Sequence, residues 1–350
     1  MTHDIRFGPR TSDRPISRRA LAAGAAAAGA DLALLAGQHG RARAGGVGTP
    51  PAEATPGATP AGSSAATPAA MAPAILVRVE YVGGFAPPET MLTAVPTYQL
   101  TDDGTEISQG VQVQVFPPPA LPSLQAATLT DAGTEAVLDA VRAAGLDVQD
   151  QEYINPSAPT DLPNQIITVT LDGKTVTTTL YGLDQLAPGD TSGLADARNR
   201  LQPFLTLIST PPSLRASGQV VAPETFYAFD ELQIVAVPAD ELPAAEGQSA
   251  LEGSTPTEPV TWPLTTALSG FGIPLSDTVG GEGYAGTFPG ARVDTVSGED
   301  LAAVLPLAQE ASQLTIWESD GEDWVLLLRP LLPGEVGNLA RPASGDEQAD

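Results

Sequence analysis

The residue types that most often carry catalysis are scarce in this 350-residue chain. It contains no cysteine, which excludes thiol catalysis, thiolate zinc sites and a lipid-modified cysteine. Its two histidines are His3 and His39, and both precede the position at which we predict that a signal segment is cleaved. A mature chain would therefore have no imidazole to serve as a general base or as a metal ligand.

One short motif has the letters of a nucleophile region. Gly189-Asp190-Thr191-Ser192-Gly193 is similar to the sequence around the nucleophile of a serine protease, but such a serine needs a base within hydrogen-bonding reach. Lys174, the one lysine of the chain, lies at a predicted turn and is not part of a Ser-x-x-Lys spacing. We therefore interpret Ser192 as the N-cap of a helix.

A glycine motif, Gly281-Glu282-Gly283-Tyr284-Ala285-Gly286, matches the letters of the dinucleotide-binding loop. In dinucleotide-binding proteins this loop joins a strand to a helix whose N terminus holds the pyrophosphate. The residues that follow, Thr287-Phe288-Pro289-Gly290, do not have a helical pattern. The motif is therefore interpreted as an ordinary loop, and no cofactor is expected.

Carboxylates are the remaining groups able to do chemistry. Two acidic clusters could supply oxygen ligands for calcium: Asp102-Asp103-Glu106 and Asp320-Glu322-Asp323. Neither has the spacing of an EF-hand loop, and both coincide with predicted Asp-Gly turns, so turn formation is the favoured interpretation. A calcium-dependent module and a hydrolase that uses two carboxylates distant in sequence remain alternatives, and no metal-ligating or catalytic residue is assigned.

The net charge of the chain is −26. Residues 1–44 contain seven arginines and three aspartates, so their removal leaves 9 basic and 39 acidic residues, a net charge of −30. Such a surface repels phosphate backbones and anionic lipid headgroups, which are bound through clustered lysine and arginine. Nucleic acid and membrane-surface partners are therefore not expected.

The N-terminal segment has the organisation of an export signal. Arg18 and Arg19 precede a weakly apolar run rich in alanine and leucine, and Ala42 and Ala44 form a small-x-small cleavage site. This order resembles the twin-arginine signal peptide. The resemblance implies export to the cell envelope or the extracellular space, with membrane attachment only through an uncleaved signal. A disordered alanine-rich tail is the alternative interpretation.

The rest of the chain divides by composition. Residues 45–73 repeat Ala-Thr-Pro and Gly-Ser units, which is typical of a disordered spacer. We expect an α+β domain over 74–212 and a second α+β region over 213–335. The second region is rich in loops over 238–295 and ends in a helix and a hairpin. Residues 336–350 are expected to form an acidic, disordered tail.

In the first region, the clearest hairpin is predicted over Gln165–Tyr181, where a type I′ turn at Asp172-Gly173 pairs Val169 with Val176. A helix is predicted over Asp131–Ala144, with Thr130 as N-cap and Gly145 at its end. A second helix is predicted over Ser192–Ile208. A two-residue turn at Asp103-Gly104 would set Leu100 opposite Ile107, and the alternating run Val111–Val115 would continue that pairing.

In the second region, a helix is predicted from Ser297 to about Ala311, followed by a hairpin over Gln313–Leu332. Its turn at Asp320-Gly321 places Trp317 across from Trp324. Strands followed by helices and hairpins are typical of an α+β fold. We therefore predict antiparallel sheets built from hairpins, with about three helices packed on one side.

Residues 97–208 resemble an uncharacterised domain of exported bacterial proteins and lipoproteins. The resemblance rests on the following motifs: Tyr98-x-Leu100 before Asp103-Gly104, Leu129-Thr130-x-x-Gly133, Ala143-Ala144-Gly145, and Asp161-x-Pro163 ahead of Ile167-Thr168-Val169-x-Leu171-x-Gly173-Lys174. The C-terminal Gln313-Leu314-Thr315-x-Trp317 and the segment from Leu328 to Glu335 look like the ending of such proteins. These motifs imply a fold, and they carry no catalytic residue.

The sequence thus favours a non-catalytic binding or structural module that is exported and presented on a spacer to an unidentified envelope or extracellular component. A carboxylate-dependent hydrolase of envelope glycan is the alternative from a different functional class. A cleft that holds two acids about 5–9.5 Å apart would favour the hydrolase. A surface with dispersed acids would favour binding.

Overall fold

The computed structural model describes residues 73–113, 115–187, 189–190, 192–241, 258–278, 280–335 and Leu339. The signal residues Arg18, Arg19, Ala42 and Ala44 lie outside the described residues, as do the spacer up to residue 72 and all of the tail except Leu339. No helix within the described ranges is long and apolar enough to cross a membrane.

The first sheet has eight strands in the order β5-β7-β6-β1-β2-β3-β4-β8. Two long helices, α2 (Asp131–Ala144) and α3 (Gly193–Ser209), pack against one face of it through a core that includes Val77, Leu100 and Phe204. The strands are β1 (Ile75–Val82), β2 (Tyr98–Thr101), β3 (Thr105–Gln109), β4 (Leu124–Leu129), β5 (Gln151–Ile154), β6 (Asn164–Leu171), β7 (Lys174–Tyr181) and β8 (Val220–Phe226).

The second sheet has six strands in the order β10-β13-β14-β9-β12-β11. Helix α4 (Gly298–Glu310) contributes Leu301, Val304 and Ala308 to its core. The strands are β9 (Glu231–Pro238), β10 (Val260–Thr261), β11 (Ile273–Pro274), β12 (Arg292–Ser297), β13 (Ile316–Ser319) and β14 (Glu322–Pro330); a short helix, α1 (Pro88–Thr93), packs against β14. The expected α+β class is thus confirmed.

Local signals in the sequence account for the elements that were predicted best. Asp172 and Gly173 both have positive φ angles, 53° and 74°, as a type I′ turn requires, and Val169 pairs with Val176. In the same way, the turn at Asp320-Gly321 places Trp317 opposite Trp324. The Thr130 hydroxyl accepts a hydrogen bond from the Gly133 amide at 3.1 Å, which caps α2.

Ser192 lies at the N-cap position of α3, as predicted, but its side chain makes no capping hydrogen bond. Its carbonyl instead accepts hydrogen bonds from the amides of Ala195 and Asp196. The capping role predicted for the Ser192 side chain is therefore wrong, although the start of the helix is right.

The sheets are mixed rather than purely antiparallel. Strand β5 pairs with β7 in parallel, and β10 pairs with β13 in parallel. Both β5 and β10 are edge strands that a long connection returns to the sheet, whereas the hairpins that dominate the sequence signal are antiparallel. Strand β8 belongs to the first sheet although it follows residue 212, and the predicted domain boundaries stay predictions.

Two predictions about β3 are wrong. The loop after Thr101 has three residues and ends at Gly104, whose φ angle is 80°, so Leu100 faces Glu106 rather than Ile107. The predicted pairing of Val111–Val115 does not form at the described residues 111–113 and 115, because β4 begins at Leu124, opposite Gln109. Val111 is consequently 79% exposed.

Candidate functional site

Strand register places a row of polar side chains across the first sheet. Tyr98 on β2 lies opposite Ser108 on β3, and Ser108 lies opposite Gln125 on β4. In the same sheet, Tyr81 on β1 pairs with Gln165 on β6. Because cross-strand partners point to the same face, these groups lie on the face that α2 and α3 cover. Polar residues at one end of an otherwise apolar face mark the site.

Helix α3 and the segment after it form the opposite wall of a cleft of about 640 Å³. This volume lies within the range of roughly 300–1,000 Å³ that is typical of ligand sites. The apolar residues that line it include Val79, Leu180 and Leu201. The polar and charged residues that line the cleft are Tyr81, Thr97, Tyr98, Ser108, Gln109, Gln125, Gln165, Asp184, Arg198, Gln202, Ser209 and Thr210.

A buried ion pair lies one row deeper than Ser108. The Arg215 guanidinium donates to both carboxylate oxygens of Glu106, with nitrogen to oxygen distances of 2.6 Å, and the two side chains are 3% and 1% exposed. The Tyr98 hydroxyl donates to Glu106 Oε2 at 3.3 Å. Arg215 Nε also donates to the Thr210 carbonyl at 3.2 Å.

This ion pair fixes one wall of the cleft. Arg215 follows the segment from Thr210 to Pro212, which lines the cleft, and its bidentate contact with Glu106 attaches that segment to β3. Bidentate arginine–carboxylate pairs have a defined geometry as well as a strong attraction. The wall is therefore held in place before any ligand arrives.

Burial dominates the electrostatics of this cluster. Desolvation raises the pKa of Glu106, while the hydrogen bonds and charge of Arg215 oppose that rise. Burial, together with the neighbouring Glu106, raises the pKa of Tyr98 well above its ordinary value. At the rim, burial and the charge of Asp184 raise the pKa of Tyr81. Both tyrosines therefore stay neutral hydrogen-bonding groups at neutral pH.

The cleft is suited to binding and poorly suited to acid–base hydrolysis. Asp184 is exposed and is the single carboxylate among the described residues that line it. Glu106 is occupied by Arg215 and lies beneath Tyr98 rather than in the cleft lining. Hydrolysis by paired carboxylates needs one carboxyl group to donate a proton and a second carboxylate to act on the other side of the substrate. The described lining of this cleft supplies a single carboxylate.

The acidic clusters singled out from the sequence do not converge. Asp103 accepts hydrogen bonds from the Thr105 amide at 2.9 Å and the Thr101 hydroxyl at 2.7 Å, and so shapes its turn. Asp102 accepts one from the Ala74 amide, whereas Glu106 points to Arg215. Across the part of the chain that the structure describes, no three potential metal-ligating side chains come together.

The other motifs lie away from the cleft. Residues Glu282–Tyr284 of the glycine motif form a short 3-10 turn, and the motif is followed by further turns rather than by a helix. Lys174 donates to the carbonyls of Asp147 and Val148 near the end of α2. The signal residues Arg18, Arg19, Ala42 and Ala44 fall outside the described ranges.

Sequence reasoning missed the residues that build the cleft. Glu106 and Arg215 are 109 positions apart, and no local pattern connects them. A comparison of the chain with known protein families, with characterised proteins and with solved structures found no match. The resemblance of residues 97–208 to an exported bacterial domain therefore stays a prediction.

Proposed function

We propose that this chain is an exported, non-catalytic binding module that presents the cleft between the first sheet and α3 to a component of the cell envelope or extracellular space. The observation that carries the proposal is the lining of the cleft, which offers uncharged hydrogen-bonding groups on a wall that Glu106 and Arg215 hold in place. Concave, mostly apolar sites with a few convergent polar groups are the usual form of a ligand site.

The sequence supports the remainder of the proposal. The arginine pair Arg18-Arg19, the small-x-small site at Ala42 and Ala44, and the spacer after it are the organisation expected of an exported domain. The acidity of the chain disfavours nucleic acid and anionic membrane surfaces as partners.

The binding role is tested by filling the cleft. Ser108→Phe places an aromatic ring in the middle of the polar row, and Thr128→Phe on the neighbouring strand is the matched control, because Thr128 is exposed and lies on the other face of the sheet. The full chain should sediment with an isolated envelope fraction. We expect Ser108→Phe to reduce the bound fraction at least tenfold and Thr128→Phe to leave it unchanged.

Equal binding by the two variants would show that the cleft is not the binding surface. The hydrolase alternative has its own test, since incubation of the full chain with envelope glycan should release no reducing sugar. Release that disappears in Asp184→Asn would replace the binding proposal with an enzymatic one.

Export is tested at the arginine pair. Lysine has the same charge as arginine but does not present the guanidinium, so Arg18→Lys combined with Arg19→Lys should retain the protein in the cytoplasm. A variant with Arg10 and Arg14 replaced by lysine is the control, because these residues precede the pair. Normal export of the Arg18 and Arg19 double variant would refute the proposed signal.

A further inference from the structure

We infer that the cleft takes an uncharged, hydroxyl-rich ligand, a segment of neutral oligosaccharide; this inference rests on the proposed binding function and specifies its ligand. The chemistry of the lining carries it. Three glutamines of the described residues that line the cleft belong to the elements facing it: Gln125, Gln165 and Gln202. A carboxamide both donates and accepts hydrogen bonds, as a sugar hydroxyl does.

Two half-buried amides of the cleft lining are available to a ligand. Gln125 on β4 and Gln165 on β6 are half-buried, with β1, β2 and β3 between them in the sheet. The amide of neither is hydrogen-bonded to another side chain of the described residues. Gln202 at the rim already donates to the Thr206 hydroxyl at 3.1 Å. A half-buried amide without a protein partner gains most from a ligand that can pair with both its donor and its acceptor.

The charges around the cleft disfavour ionic ligands. Among the described residues, its lining holds one anion, Asp184, and one cation, Arg198, so these residues form no cluster of one sign with which a phosphate, a carboxylate or an amine could pair. The net charge of −26 adds a general repulsion of anions. The groups left for recognition are neutral.

The rim supplies the apolar contact that a sugar ring needs. Tyr81 is 49% exposed at the cleft mouth and pairs across the strands with Gln165. An aromatic ring beside a hydrogen-bonding amide offers one apolar and one polar surface to the same ligand, and tyrosine does so at a low entropic cost. The Arg215–Glu106 pair keeps the facing wall fixed, which limits the ordering cost of binding.

The test is calorimetric titration of the full chain with hexasaccharides of four uncharged types: α-linked glucose, β-linked glucose, mannose and N-acetylglucosamine. Oligogalacturonate supplies the anionic comparison, and an uncharged proline-rich peptide represents a different class of polymer. We expect at least one neutral hexasaccharide to bind with a stoichiometry of one and no detectable heat from oligogalacturonate or the peptide.

Variants connect the binding to the cleft. Gln125→Leu combined with Gln165→Leu removes both amides with little change of volume, and Tyr81→Ala removes the ring at the rim. Each should weaken the Kd of the hexasaccharide at least tenfold, whereas Gln149→Leu, at an exposed site in the loop after α2 and outside the cleft lining, should leave it unchanged. Far-ultraviolet circular dichroism confirms that each variant is folded.

Binding of oligogalacturonate or of the peptide in preference to every neutral sugar would overturn the inference, and so would the absence of any neutral-sugar binding at millimolar concentration. These failures are distinct from failure of the proposed function. If Ser108→Phe abolishes envelope binding while no neutral sugar binds, the cleft is a binding site for a ligand of another class.

Discussion

The two faces of the first sheet each bury a carboxylate, and the two are neutralised differently. On the cleft face, Glu106 has one arginine, Arg215, which contacts both of its oxygens. On the opposite face, Glu335 lies 2.5 Å from Arg78 and 3.0 Å from Arg329, and its side chain is 3% exposed. The first cluster is a single ion pair, whereas in the second Arg78 also contacts Glu80 at 3.0 Å, so that two arginines share two carboxylates.

Hydrogen bonding separates the two clusters further. The opposite face attaches the C-terminal segment: Glu335 accepts from the Leu332 amide, and the Gln99 amide donates to the Pro333 carbonyl. Yet Arg78 Nε and Arg329 Nη1 are buried without a partner among the described residues. Buried charges and donors that are incompletely paired are costly. The cleft-side pair is thus a self-contained ion pair, whereas in the C-terminal cluster Glu335 contacts two arginines and each of them keeps one buried nitrogen without a partner among the described residues.

The largest expected effect is therefore that of Glu335→Ala. It leaves Arg329 buried without an anion, whereas Arg78 retains its contact with Glu80 at 3.0 Å. Removal of one partner from a buried ion pair typically costs about 3–5 kcal/mol. Urea denaturation measures the loss. Glu322→Ala changes an exposed glutamate at the start of β14 and should alter the unfolding free energy by less than ~0.5 kcal/mol. A similar small change at Glu335 would refute the contrast.

Arg215→Met should have the next largest effect, about 3 kcal/mol at neutral pH, because it leaves Glu106 buried without its countercharge. Its pH dependence has a definite sign. Burial raises the pKa of Glu106 and Arg215 opposes that rise, so the variant raises the pKa further. When the pKa of Glu106 is higher in the folded chain than in the unfolded chain, its protonation stabilises the fold. This stabilisation is fully present below the unfolded pKa of glutamate, about 4.3, and is lost as the pH rises through the folded pKa.

The deficit of Arg215→Met relative to the natural chain should accordingly be smaller at pH 4 than at pH 7, as measured by urea denaturation at both. Arg142→Met is the control, since Arg142 pairs with Glu135 and Asp139 on the exposed surface of α2 and such pairs contribute little. A deficit independent of pH would show that Glu106 is not the group that Arg215 neutralises.

Several helices and strands could be predicted from the sequence, because the residues that determine them are close together in the chain. Asp172-Gly173 and Asp320-Gly321 fix two hairpins and their registers, because only residues that tolerate positive φ close a type I′ turn. Thr130 and Gly145 mark the ends of α2 for similarly local reasons. These signals need no knowledge of the rest of the chain.

The cleft could not be predicted from the sequence, largely because the register between β2 and β3 differs by one residue from the predicted register. The Asp103 carboxylate binds the Thr105 amide and the Thr101 hydroxyl, which closes a three-residue loop where a two-residue turn was expected. A shift of one residue exchanges the faces of the sheet to which the side chains of a strand point. The three-residue loop therefore directs Glu106, rather than Ile107, towards the helices. Arg215 comes from a distant segment, and its meeting with Glu106 depends on the packing of α3.

The smallest expected effect concerns Tyr98, which joins the cleft lining to the buried pair. Tyr98→Phe removes the hydroxyl that donates to Glu106 Oε2 at 3.3 Å, and a hydrogen bond to a charged partner at this distance should contribute about 1 kcal/mol at pH 7. Because the pKa of Tyr98 is raised in the folded chain, its contribution is present below the unfolded pKa of about 10 and declines above it by about 1.4 kcal/mol per pH unit. The deficit of Tyr98→Phe should therefore disappear or reverse at pH 11.

Tyr227→Phe provides the comparison. Burial, together with the charges of Asp230 and Glu335, raises the pKa of Tyr227 to about 12. The stability of this variant should show the same alkaline behaviour, while its envelope binding stays unchanged. If Tyr227→Phe impaired that binding, the functional distinction between the two faces of the sheet would be wrong.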